Sequence, residues 1–297
     1  MKITDIHNSW GSIVEFDHPI LFFQMDKNYW RDLIYKRKLL IFKRMSFRLI
    51  DYMKFGHYFG SPWTKEDYAY SLEHAITLKE NDRTYTTTAF SNRIISQQRI
   101  PNEEMVWHAD IPNRSFRPFP HRSLWITKNP NPAVSGKTKW LNINLPQCEQ
   151  YLTDEMKSYL DITKIQQQSW YYPGTDLQIH DFIKTHPITG ERSLRLNTYN
   201  DPYKNVRGAW ITNVYINDVV QPDCKLVEKF INHLLKYQEL TYTHQWDLHD
   251  IAIYDNYCFI HGRTALVLGA KDTDNERKFI RSNIDHVSDL DWVNQKI

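Results

Sequence analysis

A close pair, Trp107-His108-Ala109-Asp110, and a lone histidine far downstream, in Tyr254-Asp255-Asn256-Tyr257-Cys258-Phe259-Ile260-His261-Gly262-Arg263, constrain this chain more than anything else in it. Side chains alternate along extended backbone with period two, so His108 and Asp110 point to one side. Ile251-Ala252-Ile253-Tyr254 reads as a buried strand leading into the second stretch, and the turn after it lets His261 rise on a neighbouring strand. Two histidines and one carboxylate, split as a close pair plus a distant third, make the facial ligand set of a non-haem Fe(II) oxygenase. That set leaves positions open on the metal for a co-substrate and O2. Each motif alone has a plainer reading, His108 and Asp110 as a surface hydrogen-bonded pair and His261 as a satisfied core histidine. Together, in this order, they read as one site that the fold must close.

The rest of the pattern supplies many short strands and few helices. Helical spacing covers Asn28 to Lys36, and Leu39 to Phe42 reads as a buried strand. Ser46 is placed to cap a helix running to about Phe59, which Gly60-Ser61-Pro62 would end. Ile20 to Phe23 fits a strand or a pocket edge. Strands are expected at Ser123 to Thr127, Thr138 to Ile143, around Ser169 to Tyr172, Arg192 to Leu196, Thr241 to Trp246, Ile251 to Tyr254 and Arg277 to Ile284. Helices are expected over 146–160 and over Leu226 to Tyr237, where Val227, Phe230, Ile231, Leu234 and Leu235 share a face. No repeat, linker or composition break divides the chain. The expectation is one α+β domain, residues 1–297, built on a double-sheet barrel.

Composition narrows the function classes. A formal net charge of +2 argues against a dedicated nucleic-acid or anionic-membrane surface. The basic run Lys36-Arg37-Lys38, with Lys43-Arg44 behind it, flanks an apolar strand and reads as solvated strand ends. Cys148, Cys224 and Cys258 lie far apart with no CxxC, which points to a reducing compartment without a disulfide framework. The first residues lack the apolar core of a signal peptide, and no run of about 18 apolar residues exists. A cytoplasmic setting is expected. Ten Trp and 18 Tyr suit a deep pocket or a thick core, and the core accounts for most of them.

Five stretches in order carry a family resemblance: Trp107 to Asp110, Gly136-Lys137-Thr138, His186-Pro187-Ile188-Thr189-Gly190, Asp255 to Arg263, and Arg277-Lys278-Phe279-Ile280-Arg281. With them the chain resembles the taurine dioxygenase-like (TauD/TfdA) family of Fe(II)/2-oxoglutarate-dependent oxygenases, with its clavaminate-synthase-like and isocyanide-pathway relatives. The resemblance implies a double-stranded β-helix (jelly-roll) core with flanking helices, holding Fe(II) and 2-oxoglutarate. It implies His108, Asp110 and His261 as iron ligands, with O2 as the oxidant. Arg277 matches the arginine that clasps the distal carboxylate of 2-oxoglutarate, a planar group suited to a guanidinium fork. Thr138 matches the threonine that hydrogen-bonds the same carboxylate. Arg281, on the face of Arg277, would contact co-substrate or an anionic substrate group, or form a structural ion pair. Arg263 would play a structural role near the iron or touch substrate, and Asp255 and Asn256 would form the turn that aims His261.

The chain departs from the family between the pair and the co-substrate threonine. Arg114 and Arg117 stand in Ile111 to Pro118, and the usual double glycine is reduced to Ser135-Gly136-Lys137. The two arginines would hold an anionic substrate or be solvated loop residues. Asn92, with Phe90, Trp125 and Trp170, would line the substrate pocket. Asp110 also bears on chemistry, because family halogenases replace this carboxylate with a small residue. The resemblance therefore implies hydroxylation of an aliphatic C–H of a small molecule, an amino acid or small acid, coupled to conversion of 2-oxoglutarate to succinate. Alternatives are a natural-product tailoring oxygenase (desaturation or isocyanide formation) and a catalytically silent ligand-binding barrel.

Overall fold

The computed structural model describes residues 1–63, 75–80, 83–91, 105–110, 121–133, 136–169, 179–197, 209–265 and 277–285. Two sheets face each other across an apolar layer. The larger runs Lys2–Asp5, Ser12–Glu15, Leu39–Phe42, Ile251–Asp255, His121–Lys128, Lys278–Asp285, Arg83–Ser91, Ala75–Glu80, with Ser61–Pro62 pairing beside Lys278–Asp285. The smaller runs Thr241–His244, Thr138–Asn142, Phe259–Arg263, Met105–His108. Among the described residues every pairing is antiparallel except Ser12–Glu15 with Leu39–Phe42, which the helix Lys27–Arg37 connects in parallel.

Period-two alternation sorts each strand between two layers. Leu39, Ile41, Leu124, Ile126, Ala252, Tyr254 and Phe279 from the large sheet meet Trp140 and Phe259 from the small one, and Trp246 joins them. The opposite face of the large sheet, with Leu40, Phe42, Trp125, Ile253 and Ile280, is covered by Phe22, by Trp30 and Ile34, and by Tyr52 and Phe55 of the helix Leu49–Gly56. The outer face of the small sheet, with Leu141 and Ile260, is covered by the helices Asp154–Tyr159 and Lys225–Leu234. A further sheet, Ile179–Asp181, Thr163–Ser169, Ala209–Ile216, Val219–Val220, adds Ile165, Ile211 and Val214 to that cover. The architecture is mixed α+β, mostly strands with few helices.

Several local expectations change in the structure. Ile20 to Phe23 lies in a 3-10 helix, Pro19–Gln24, opened by Pro19. Ser46 caps nothing; the helix starts at Leu49 with Arg48 in the cap position and ends at Gly56, and Ser61–Pro62 is strand. The expected helix over 146–160 is broken into Leu145–Cys148, a 3-10 turn at Glu149–Tyr151, and Asp154–Tyr159. Thr153 is the cause, since its hydroxyl accepts the Met156 N–H at 3.2 Å and opens a new helix.

The basic run is solvated only in part: Lys36 and Arg44 are exposed, but the residues between them are not. Arg37 and Lys38 are buried. Arg37 donates to the carbonyls of His7, Asn8 and Gly11 and to Ser12 Oγ, lacing the N-terminal strands to the helix end. Lys38, with left-handed φ of 65°, pairs with Glu191. Lys43 reaches Asp247 at 2.8 Å and Asp250 at 2.5 Å. Charge runs read locally as surface, but these side chains find partners far away in sequence. Cys148, Cys224 and Cys258 are buried and form no disulfide. Among the described residues no helix is long and apolar enough to cross a membrane.

Candidate metal centre

Strand Met105–His108 pairs with Phe259–Arg263 so that His108 and His261 are direct cross-strand partners, their ring centroids 4.3 Å apart. Asp110 lies just past the end of its strand, where ladder bonds no longer hold the backbone. Asn256 replaces them: its Oδ1 accepts the Asp110 N–H at 3.1 Å and its Nδ2 donates to the Asp110 carbonyl at 2.9 Å. The ligand atoms of His108, Asp110 and His261 consequently lie within 4.8 Å of one another. His261 Nε2 approaches Asp110 Oδ2 to 3.4 Å.

The turn that does this is anchored at both ends. Asp255 Oδ1 accepts the Tyr257 N–H at 2.8 Å, and its Oδ2 lies 3.1 Å from His186 Nε2. His186 Nδ1 accepts the N–H groups of Ile188 at 3.1 Å and Thr189 at 3.0 Å. That acceptor role puts the ring proton on Nε2, facing Asp255. The His186-to-Gly190 segment thus braces Asp255, while Asn256 holds Asp110.

Electrostatics suit a cation. Burial alone raises the Asp110 carboxyl, but Arg122, then His261, His108 and Arg281, hold it well below the usual carboxylate range. Burial pulls His261 down to about 3, leaving a neutral imidazole with a lone pair to give. Tyr254 is pushed well above the ordinary phenol value, first by burial and then by the Asp110 charge, so it keeps its proton and donates it to Asp110 Oδ2 at 2.9 Å. An ionised carboxylate and a neutral imidazole, with a second imidazole beside them, form a donor set that fits a divalent iron ion.

A second cluster lies on the same inner faces. Arg277 is buried, donates to the Gly136 carbonyl at 2.9 Å, and stacks on the Phe279 ring at 4.4 Å. Thr138, two residues past Gly136, accepts the Trp246 indole N–H at 2.8 Å. With that acceptor site taken, its own hydroxyl hydrogen points elsewhere. Arg263 is the register partner of Thr138 and lies close enough to repel Arg277. Burial, then that repulsion, lowers Arg277 to about 9, still charged at neutral pH. Arg281 is half-buried on the inward face of its strand, two alternations beyond Arg277.

The structure therefore brings together His108, Asp110 and His261, and separately Thr138, Arg263 and Arg277. Asn92, Arg114, Arg117 and Trp170 lie outside the described residues, as does the Phe90 side chain. Trp125 faces the opposite side of its sheet, stacked on Tyr52 with centroids 5.0 Å apart, and lines no pocket at this site. Sequence reasoning missed Tyr254, Arg122 and Trp246. The signal for Arg122 was available: it shares the inward register of Leu124 and Ile126, where an arginine stands out.

Histidines held neutral away from the metal ligands set an acid limit. Burial of His121, and partial burial of His57 with Lys27 and Arg83 beside it, hold both near 4, below their ordinary 6.5. Between those values the unfolded chain binds the extra protons, so stability is full above about pH 6.5 and is lost as pH falls towards 4. Asp255, with its folded value depressed by His186 and His121 against the upward push of burial, adds a further loss below its ordinary 3.8. The melting temperature of the metal-free protein is expected to fall already between pH 6.5 and 5, before carboxylates titrate. A flat melting temperature over that interval would contradict the neutral state of the two histidines in the folded chain.

A family model for taurine catabolism dioxygenase TauD, TfdA family, matches residues 2–282. Among curated proteins none matches. Of solved structures, a putative alpha-ketoglutarate-dependent taurine dioxygenase from Burkholderia xenovorans is 18% identical, with 96% of this chain and 93% of that one covered at a TM-score of 0.67. AAD-2 in complex with Mn(II) and N-oxalylglycine is 16% identical, with 97% and 98% covered at 0.63. A putative alpha-ketoglutarate-dependent 2,4-D dioxygenase from Burkholderia xenovorans is 17% identical, with 98% of each chain covered at 0.60. At these identities the structural neighbours establish a shared fold, and the family model adds the lineage. With that model spanning nearly the whole sequence and the triad assembled, the chain belongs to the TauD/TfdA dioxygenase family.

Proposed function

We propose that the chain hydroxylates an aliphatic C–H of a small molecule, an amino acid or small acid, coupled to oxidative decarboxylation of 2-oxoglutarate to succinate. The family's cofactors are Fe(II), 2-oxoglutarate and O2. The observation that carries the reading is the convergence of His108, Asp110 and His261 beside a buried Arg277–Thr138 cluster. A double-stranded β-helix core in a single domain over residues 1–297 is the frame proposed for it, supported by two facing sheets that share one apolar layer.

His108, Asp110 and His261 would hold the iron, which when bound supplies the O2 chemistry. Arg277 would take the distal carboxylate of 2-oxoglutarate with its fork, in a place where water competes weakly. Thr138 would give its hydroxyl hydrogen to the same carboxylate, its acceptor side being held by Trp246. Arg281 would meet a carboxylate nearer the metal, either of co-substrate or of substrate. Arg263 would add positive charge behind Arg277. Asn92, Arg114 and Arg117 are proposed for the substrate side on sequence grounds. Retention of Asp110 favours hydroxylation over halogenation.

The test is succinate release by purified protein with Fe(II), 2-oxoglutarate and a panel of amino acids and small acids. Release that depends on 2-oxoglutarate and rises with one substrate is the expected result. No release across the panel, with metal demonstrably bound, favours a silent ligand-binding barrel.

A further inference from the structure

Asp110 is gripped by side chains that a three-residue metal site does not require. Arg122, 5% exposed at its side chain, forms an ion pair with Asp110 Oδ1 through its terminal nitrogen. Its Nε donates to Asn283 Oδ1 at 3.1 Å, which fixes the plane of the guanidinium. Tyr254 donates to the other oxygen, Oδ2, at 2.9 Å, and its hydroxyl lies 3.4 Å from His261 Nε2. Tyr254, Arg122 and Asn283 are register neighbours on three adjacent strands of the large sheet. One row of three inward side chains therefore crosses the sheet and addresses one carboxylate from the wall opposite His108 and His261.

We propose that Arg122 is a positioning residue that makes Asp110 a one-oxygen metal ligand. Tying up Oδ1 leaves Oδ2, the oxygen that already approaches His261 Nε2, to face the metal. The inference rests on the Fe(II) reading of the site. A free carboxylate can chelate through both oxygens and so fill a position that co-substrate and O2 need. A guanidinium bonded to one oxygen in a water-poor pocket competes with that second contact, because charge-assisted bonds are strong there. Asn283 keeps the guanidinium from swinging away, and Tyr254 sets the rotation of the carboxylate plane. Arg122 touches neither substrate nor metal in this account.

Co(II) is the probe, since its visible absorption reports coordination number whether or not the enzyme turns over. Wild type, Arg122→Gln and Arg122→Lys are titrated with Co(II), with circular dichroism to confirm folding. Arg122→Gln frees Oδ1 to chelate and removes a cation beside the metal, so it is expected to tighten Co(II) binding several-fold and to change the band. Arg122→Lys keeps the charge but not the fork, and should fall between the two in both Kd and spectrum. Wild-type Kd and band in either folded variant overturns the assignment. Failure of the wild-type protein itself to bind Co(II) sinks the metal-centre reading on which it rests, a distinct outcome.

Discussion

Asp110→Ala is expected to abolish metal binding and also to lower the melting temperature of the metal-free protein, whereas His108→Ala abolishes the metal alone. The difference follows from what each side chain holds. Asp110 is the counter-charge of Arg122, whose side chain is 5% exposed. Removing one member of a buried pair leaves the other unpaired in a poorly solvated place, at a cost of about 3–5 kcal/mol. For a chain of this length that is roughly 10 °C in melting temperature. The Tyr254 hydroxyl would lose its acceptor as well. His108 is half-buried at the end of its strand, and its loss strands no guanidinium. Removing a metal ligand outright should exceed the 10–100-fold loss usual for outer-shell changes, so neither variant should form succinate. Melting curves in chelator, with metal titrations beside them, check both halves. Equal melting temperatures for the two variants would mean that Arg122 does not depend on Asp110.

The ligands were legible because residue type and order encode them. A strand alternates whatever its neighbours are, which put Arg277 and Arg281 on one side and suggested the same for His108 and Asp110, although Asp110 falls just past its strand and is held there by Asn256. What surrounds the ligands was not legible in the same way. Tyr254 closes the apolar run Ile251-Ala252-Ile253 and reads as core, and it is core, but its hydroxyl meets Asp110 only because of the register with Arg122. Register between distant strands leaves no trace in either strand alone. Arg37 and Lys38 illustrate the same limit, since nothing near them announces Ser12 or Glu191. Thr153 was a local signal passed over: a Thr followed by Asp154-Glu155 is a helix start, and it divided what helical spacing had joined. The substrate side is the least legible part, because Asn92, Arg114 and Arg117 rest on residue type without a register to test them.

Arg277→Met is expected to weaken 2-oxoglutarate binding by about 10–150-fold, the equivalent of 1.5–3 kcal/mol for hydrogen bonds to a charged group, with little change in folding stability. The affinity loss follows from burial: a carboxylate brought into this pocket leaves water, and only a fixed cation offsets that cost. Lysine should restore part of it, supplying charge without the two parallel donors. Stability should move little for a reason particular to this chain. The bond from Arg277 to the Gly136 carbonyl is lost, about 1 kcal/mol, and the stack on Phe279 passes to the Met side chain, but the repulsion between Arg277 and Arg263 inside a buried cluster is lost too. The two changes oppose each other. Arg263 is then the only guanidinium of the pair, so Arg263→Met in the Arg277→Met background should cost further affinity if both face the same anion. Calorimetric titration of 2-oxoglutarate into metal-loaded protein reads the affinity, and melting curves read the stability. An Arg277→Met protein that binds 2-oxoglutarate as wild type does would remove Arg277 from the co-substrate site. One that binds weakly but melts far below wild type would instead make the arginine a structural element, with the lost affinity its consequence.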